Sequence, residues 1–164
     1  LMMPSLRIED LVFRQQRKMI APELTHLESL ILVGWMNLAP SDSGRDEPFK
    51  TLFTRTLTEE PIIGAGKNIW QVQWMPVSQR QSEVIFLGLE VKENPVTTGR
   101  YVTQSLPAGD YLRISLNGQP KNRAAAAKYL YHSFLPRSEL RMADPIEIVL
   151  FGEKPVLLIP VKQQ

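Results

Sequence analysis

Glu147 says most about chemistry. It interrupts Ile146-Glu147-Ile148-Val149-Leu150-Phe151, a strand otherwise apolar on both alternating faces. An ionised carboxylate among apolar groups is costly unless it is paired. Burial raises its pKa, and an opposing cation restores the charged form. Three roles fit. Glu147 can sit on a partly solvated edge strand or pair with Arg141 or Arg113. It can line a cavity and receive a cationic or polar ligand. It can serve as a general base or acid, a role that needs a tuned carboxylate next to a reacting group.

Aromatic faces around a carboxylate suit a flat organic cation, through cation–π attraction and stacking. The strand face Trp70–Trp74 and the helix stripe Tyr131–Phe134 are the best walls for such a cavity. Tyr111, Trp35 and Phe53 complete the set of ligand-binding candidates. Each of them also fits an ordinary core. His132 lies one residue from the Tyr131–Phe134 stripe and reads as a solvated helix position. No G-x-S-x-G nucleophile motif occurs. Gly64-Ala65-Gly66-Lys67 lacks the spacing and the Ser/Thr of a phosphate loop and reads as a turn. No helix-turn-helix pattern or concentrated basic stripe stands out, and the basic group at 14–18 reads as a solvated linker. No catalytic residue is assigned.

The chain of 164 residues is long enough for a real core. Hydrophobic residues make up 43 % and charged residues 22 %, which argues against a wholly disordered chain. The net charge of +2 is too small to name a partner. There is no cysteine, so disulfide scaffolds, thiol catalysis and cysteine-bound metals are excluded. Two histidines make a His-rich zinc site a poor reading, and neither metal nor cofactor is expected. No apolar window approaches the roughly 18 residues of a membrane span. The first residues lack a signal-peptide pattern, so a cytoplasmic location is the default expectation.

Periodicity supplies the elements. Residues 1–21 read as a linker or peripheral helix, and 22–164 as the folded domain. Leu30 to Leu38 is a continuous apolar run, read as a strand buried on both faces, with Gly34 marking a bulge or close backbone approach. A loop over 41–46 follows. Asp46 is then a candidate N-cap, and Pro48 sits in a first turn. Phe49, Leu52, Phe53, Thr56 and Leu57 form one helix face, ended by Pro61 and Gly64. In Ile69–Met75, Trp70, Val72 and Trp74 share a face and Gln71 and Gln73 the other, a half-buried strand. Val84–Val91, Tyr101–Leu106 and Tyr111–Leu116 read as strands, with turns at 107–110 and at Asn117-Gly118. A helix is predicted over 121–134 and stopped by Pro136. Strands over 146–151 and 156–161 close the chain. Strand-helix-strand-strand thus occurs twice, which indicates α+β with mainly antiparallel sheet.

Several segments resemble the GyrI-like, or AraC-type effector-binding, domains. Leu106-Pro107-Ala108-Gly109-Asp110-Tyr111 is similar to their "IPAGxY". Leu130–Ser138 resembles "IYxxWLPxS", with Phe134 where Trp is common, and Asp144–Val149 resembles "pdfEvY", with Val149 replacing the aromatic. Leu158-Ile159-Pro160-Val161-Lys162 resembles the closing "IPVK". Leu32-Val33-Gly34, Leu52-Phe53 and Gly88-Leu89-Glu90-Val91 resemble "vvG", "LW" and "GvEv" in the first half. The resemblance covers residues 22–162. It implies two pseudo-symmetric β-α-β-β modules with a ligand cleft between them, a glutamate at the base of that cleft and aromatics around it. Glu147 matches that glutamate. Tyr131, Phe134 and Tyr111 match motif aromatics. Trp35, Phe53, Trp70 and Trp74 come from pattern and composition alone.

The leading expectation is a domain of a bacterial AraC-type transcription regulator that binds a small lipophilic or cationic effector, as multidrug sensors do. Such a domain meets DNA only through a separate DNA-binding domain. The first 20 residues would then be the tail of a linker from one, or a native N-terminus. One alternative is a stand-alone gyrase-inhibitor-like protein with a topoisomerase partner. Another is a small hydrolase in which Glu147 and Tyr131 or Tyr111 activate water. Enzyme activity ranks below binding.

Overall fold

Alternating apolar strands and two interposed helices build one sheet in the computed structural model, which describes residues 21–39, 46–75, 83–93, 99–116 and 118–164. The strands are β1 (Glu23–Leu27), β2 (Leu30–Ala39), β3 (Ala65–Trp74), β4 (Glu83–Val91), β5 (Val102–Leu106), β6 (Gly109–Ser115), β7 (Leu140–Met142), β8 (Ile146–Leu150) and β9 (Val156–Gln163). The helices are α1 (Asp46–Glu59) and α2 (Arg123–Tyr129). The strand order is β1-β6-β9-β8-β3-β4-β2-β5, with β7 beside β9, and every pairing is antiparallel.

The order resolves into two modules of the same plan. One is β2-α1-β3-β4 and the other β6-α2-β8-β9. They join edge to edge where β3 pairs with β8. The α+β class and the duplicated module follow the sequence pattern. The short strands β1 and β7 lie outside what that pattern predicts. Residues 1–20 of the proposed 1–21 linker, residues 41–45 of the 41–46 loop, and Asn117 lie outside the described residues.

Both helices lie on one face of the sheet. Phe53 of α1 is fully buried against Val33, Leu87, Val91 and Tyr101. Leu52, predicted on the same helix face, falls at the rim of the stripe and is half exposed. Under α2 the core is Leu112, Ile114, Val149, Leu157 and Ile159. Ala126 and Ala127 let this helix approach the sheet closely, since a methyl adds little thickness.

The single helix predicted over 121–134 is broken into pieces. A 3-10 turn at Pro120–Asn122 leads into α2, which widens into a π turn at Leu130–Phe134 and tightens again at Leu135–Arg137. Pro136 lacks the N–H that an α-helix would need there.

The opposite face of the sheet is buried too. Trp70, Val72, Phe86, Tyr111, Ile148 and Leu158 form its core, with Trp74 and Leu150 packed beside them. β3 is therefore not the half-buried strand that its alternation predicts. Gln71 and Gln73 are each only 5 % exposed. Nor is β2 buried throughout: Leu32 and Val33 are, but Met36 is half exposed.

Gly34 and Gly88 face each other across β2 and β4. A Cβ on Gly34 would stand 1.8 Å from the Leu87 carbonyl oxygen, so the strands cross at a separation only glycine permits. Of the two roles predicted for Gly34, close approach is the observed one.

Candidate functional site

The seam between the modules carries the buried polar group. Antiparallel pairing sets Gln73 directly opposite Glu147 and Gln71 opposite Val149. Directly paired residues share a face, so Gln71, Gln73, Glu147 and Val149 all point to the helix side. That side is otherwise filled by two separate apolar clusters, one under each helix. The polar floor lies where the two clusters meet.

Glu147 is 7 % exposed. Arg123, the first residue of α2, donates from Nη1 to Glu147 Oε1 at 3.2 Å. Arg123 is thus an ion partner beyond the two arginines that the sequence suggests. Arg113 lies 3.8 Å from Glu23 on the neighbouring strand, and Arg141 is exposed. Arg123 reaches the carboxylate because α2 crosses the sheet above β8, a relation no local pattern reveals.

Tyr131, in the π turn, joins the same group. Burial raises its hydroxyl pKa far above the ordinary tyrosine range; Glu147 raises it further and Arg123 opposes. The Tyr131 hydroxyl therefore stays protonated at neutral pH. Both the Tyr131 hydroxyl and the Gln73 amide oxygen are buried with no hydrogen-bond partner. Polar atoms so placed are rare in native cores and call for an explanation.

The remaining candidates separate from this group. Trp70 and Trp74 pair with Leu150 and Ile146, so they point away from Glu147 into the opposite core. Tyr111 lies in that core as well, its hydroxyl donating to the Pro107 carbonyl at 2.9 Å. These three do not join Glu147 in one wall. Trp35 and Phe53 are on the helix side but belong to the α1 core, with ring centroids 5.6 Å apart. Trp35 donates its indole N–H to the Arg100 carbonyl. Phe134 packs with the α2 core. His132 is exposed, as its helix position suggests.

Lys50 of α1 spans the seam. Its ammonium stands 3.7 Å from the centroid of the Phe151 ring, which itself packs against the α2 core. A separate cavity of about 350 Å3 runs along α1, lined among the described residues by Lys50, Thr51, Thr54, Arg55 and Thr58. It does not include the Glu147 group. Among the described residues no cluster of His, Asp and Glu could hold a metal ion, and no helix is long and apolar enough to cross a membrane.

No protein-family model and no curated protein matches the chain. Solved structures do. The C-terminal domain of EcmrR is 13 % identical, with a TM-score of 0.67 over 88 % of this chain and 99 % of that one. EcmrR in a complex with DNA gives 12 % identity and 0.67, over 96 % of this chain and 66 % of that one. SAV2435 bound to tetraphenylphosphonium is 17 % identical, with 0.61 over 87 % and 94 %. A hydrolase from Listeria innocua is 12 % identical, with 0.55 over 92 % and 98 %. The fold is GyrI-like. At these identities the likeness concerns fold alone.

Proposed function

We propose that residues 22–164 form the small-molecule effector-binding domain of a bacterial transcription regulator. The observation that carries this reading is the pair of unpartnered polar atoms, Gln73 Oε1 and Tyr131 Oη, buried beside the Glu147–Arg123 pair. A ligand that hydrogen-bonds both atoms removes their desolvation penalty on binding. The shared fold supports the reading, since EcmrR is seen with DNA and SAV2435 with a small organic ion. Under it, Glu147, Tyr131, Gln73 and Arg123 contact the effector. DNA is engaged through a separate domain of AraC-type or another class, and the protein works in the cytoplasm. A lipophilic or cationic effector, which the sequence favours, would meet a carboxylate already held by Arg123.

A chemical panel followed by thermal melting tests the reading. At least one compound class is expected to raise the melting temperature of the wild type and to lose that effect in Glu147→Gln. A panel in which every stabilising compound acts equally on both proteins would remove the seam from consideration.

A hydrolase is the second reading. The protonated Tyr131 hydroxyl beside the Glu147 carboxylate has the makings of an acid and base pair. Turnover of reactive esters or strained rings, lost in Glu147→Gln, would favour it. A gyrase-inhibitor-like protein acting through its surface leaves the unpartnered seam atoms without a role.

A further inference from the structure

Away from the Glu147 group, a cavity and uncompensated charge occur together. The groove of about 350 Å3 along α1 is lined among the described residues by Lys50, Thr51, Thr54, Arg55 and Thr58. That volume suits a small organic ligand, since such pockets begin at about 300 Å3. The described lining holds two cations and no carboxylate. The Phe151 ring, 3.7 Å from the Lys50 ammonium, steadies that side chain but has no charge to cancel it. Arg55 is exposed, and its side chain makes no ion pair or hydrogen bond among the described residues. Glu59 stands four residues on, a spacing at which helix ion pairs form, yet does not pair with it.

The helix fixes the shape of the complement. Lys50 and Arg55 are five residues apart, which sets them about 7.5 Å apart along the axis and about 140° apart around it. Thr51, Thr54 and Thr58 fall between those two directions. The charges therefore flank a strip of hydroxyls. The Thr54 hydroxyl donates to the Lys50 carbonyl at 2.9 Å, and the Thr58 hydroxyl to the Thr54 carbonyl at 3.2 Å. With their protons spent on their own helix, these oxygens offer the groove only lone pairs. A single small anion meets one edge of the strip. The fitting ligand carries two or more anionic groups on a body whose hydroxyls donate.

We propose that the α1 groove is a second small-molecule site that takes a hydroxylated organic polyanion, of the hydroxy-polycarboxylate or sugar-bisphosphate kind. Lys50 and Arg55 hold anionic groups at its two edges, Arg55 through its planar fork of donors. Thr54 and Thr58 accept hydrogen bonds from the ligand's hydroxyls. The site stands independently of the seam reading, because its described lining includes none of Glu147, Gln73 and Tyr131.

Calorimetric titration at low ionic strength with citrate, tricarballylate and fructose 1,6-bisphosphate tests this. Citrate and tricarballylate carry the same carboxylates, and only citrate has a hydroxyl. The wild type is expected to bind citrate about fivefold more tightly than tricarballylate, the effect of one hydrogen bond. The doubly substituted Thr54→Val, Thr58→Val protein keeps shape and charge and is expected to lose that preference. Arg55→Gln and Lys50→Met are each expected to weaken citrate binding about fivefold or more. Arg55→Lys restores the charge and is expected to recover most of the loss, which separates charge from folding. Lys162→Gln removes an exposed cation outside the groove and is expected to change binding less than about twofold. The tighter of citrate and fructose 1,6-bisphosphate identifies the anionic group as carboxylate or phosphate. Equal binding of citrate and tricarballylate to the wild type overturns the inference. So does a loss in Lys162→Gln as large as in Arg55→Gln, which would reduce the effect to general surface charge. Binding of none of the three probes overturns it as well.

Discussion

A buried polar atom without a partner costs a folded protein about 1–3 kcal/mol. Gln73 Oε1 and Tyr131 Oη are both buried with no partner in the protein. Replacing either by an apolar group of similar shape should therefore stabilise the free protein while harming ligand binding. Tyr131→Phe and Gln73→Met are each expected to gain about 1 kcal/mol in denaturant unfolding and to weaken effector binding about tenfold or more. Residues needed only for folding would show the opposite sign of stability change. At this scale Glu147 was legible, because a lone carboxylate in an apolar run has few explanations. Gln73 was not. A glutamine alternating with Trp70, Val72 and Trp74 has the pattern of a wet strand face, and only the pairing with β8 shows that both faces are covered. Arg123 was hidden for a related reason. A charge at the start of a helix ordinarily points to water.

The elements hold the seam through close backbone approach and through one bridge between modules. Gly34 and Gly88 let β2 and β4 pack without side chains between them. Gly34→Ala would drive a methyl into the Leu87 carbonyl, and neither strand can move without disturbing Val33 and Leu87 in the α1 core. The expected loss is about 3 kcal/mol by chemical denaturation. Lys50 over Phe151 ties α1 to the end of β8. A double-mutant cycle with Lys50→Met and Phe151→Leu should return a coupling of about 0.5–1 kcal/mol. Element types and order were largely readable from periodicity. The break of the predicted 121–134 helix was not, since Ala124 to Phe134 keeps a helical stripe while the backbone changes from α to π within it. The π turn carries Tyr131, and π turns recur at functional sites.

For the whole molecule, three tyrosines make alkaline pH informative. Burial raises the pKa of Tyr131, with Glu147 adding to it; burial and then Glu60 raise Tyr101; burial and then Asp144 raise Tyr111. Their unfolded values stay near about 10. Above that pH the unfolded chain releases protons that the folded protein keeps, so the folded state is disfavoured as the pH rises. Stability should be insensitive to these groups below about pH 10 and fall steadily above it. The slope should be shallower in Tyr131→Phe.

The global plan was visible in the order of strands and helices and in motif fragments that resemble GyrI-like domains. The two-faced burial was not, because it depends on which strands become neighbours far apart in sequence. That burial divides the aromatic candidates: Trp70, Trp74 and Tyr111 line one core, while Glu147, Gln73 and Tyr131 meet on the other side. Chemical-shift mapping of the protein with the tightest compound from the panel separates the two faces directly. The largest changes are expected at the Gln73 side-chain amide and at residues around Tyr131 and Glu147. Changes centred on Trp70, Trp74 and Tyr111, with the Gln73 amide unmoved, would contradict a ligand site at the seam.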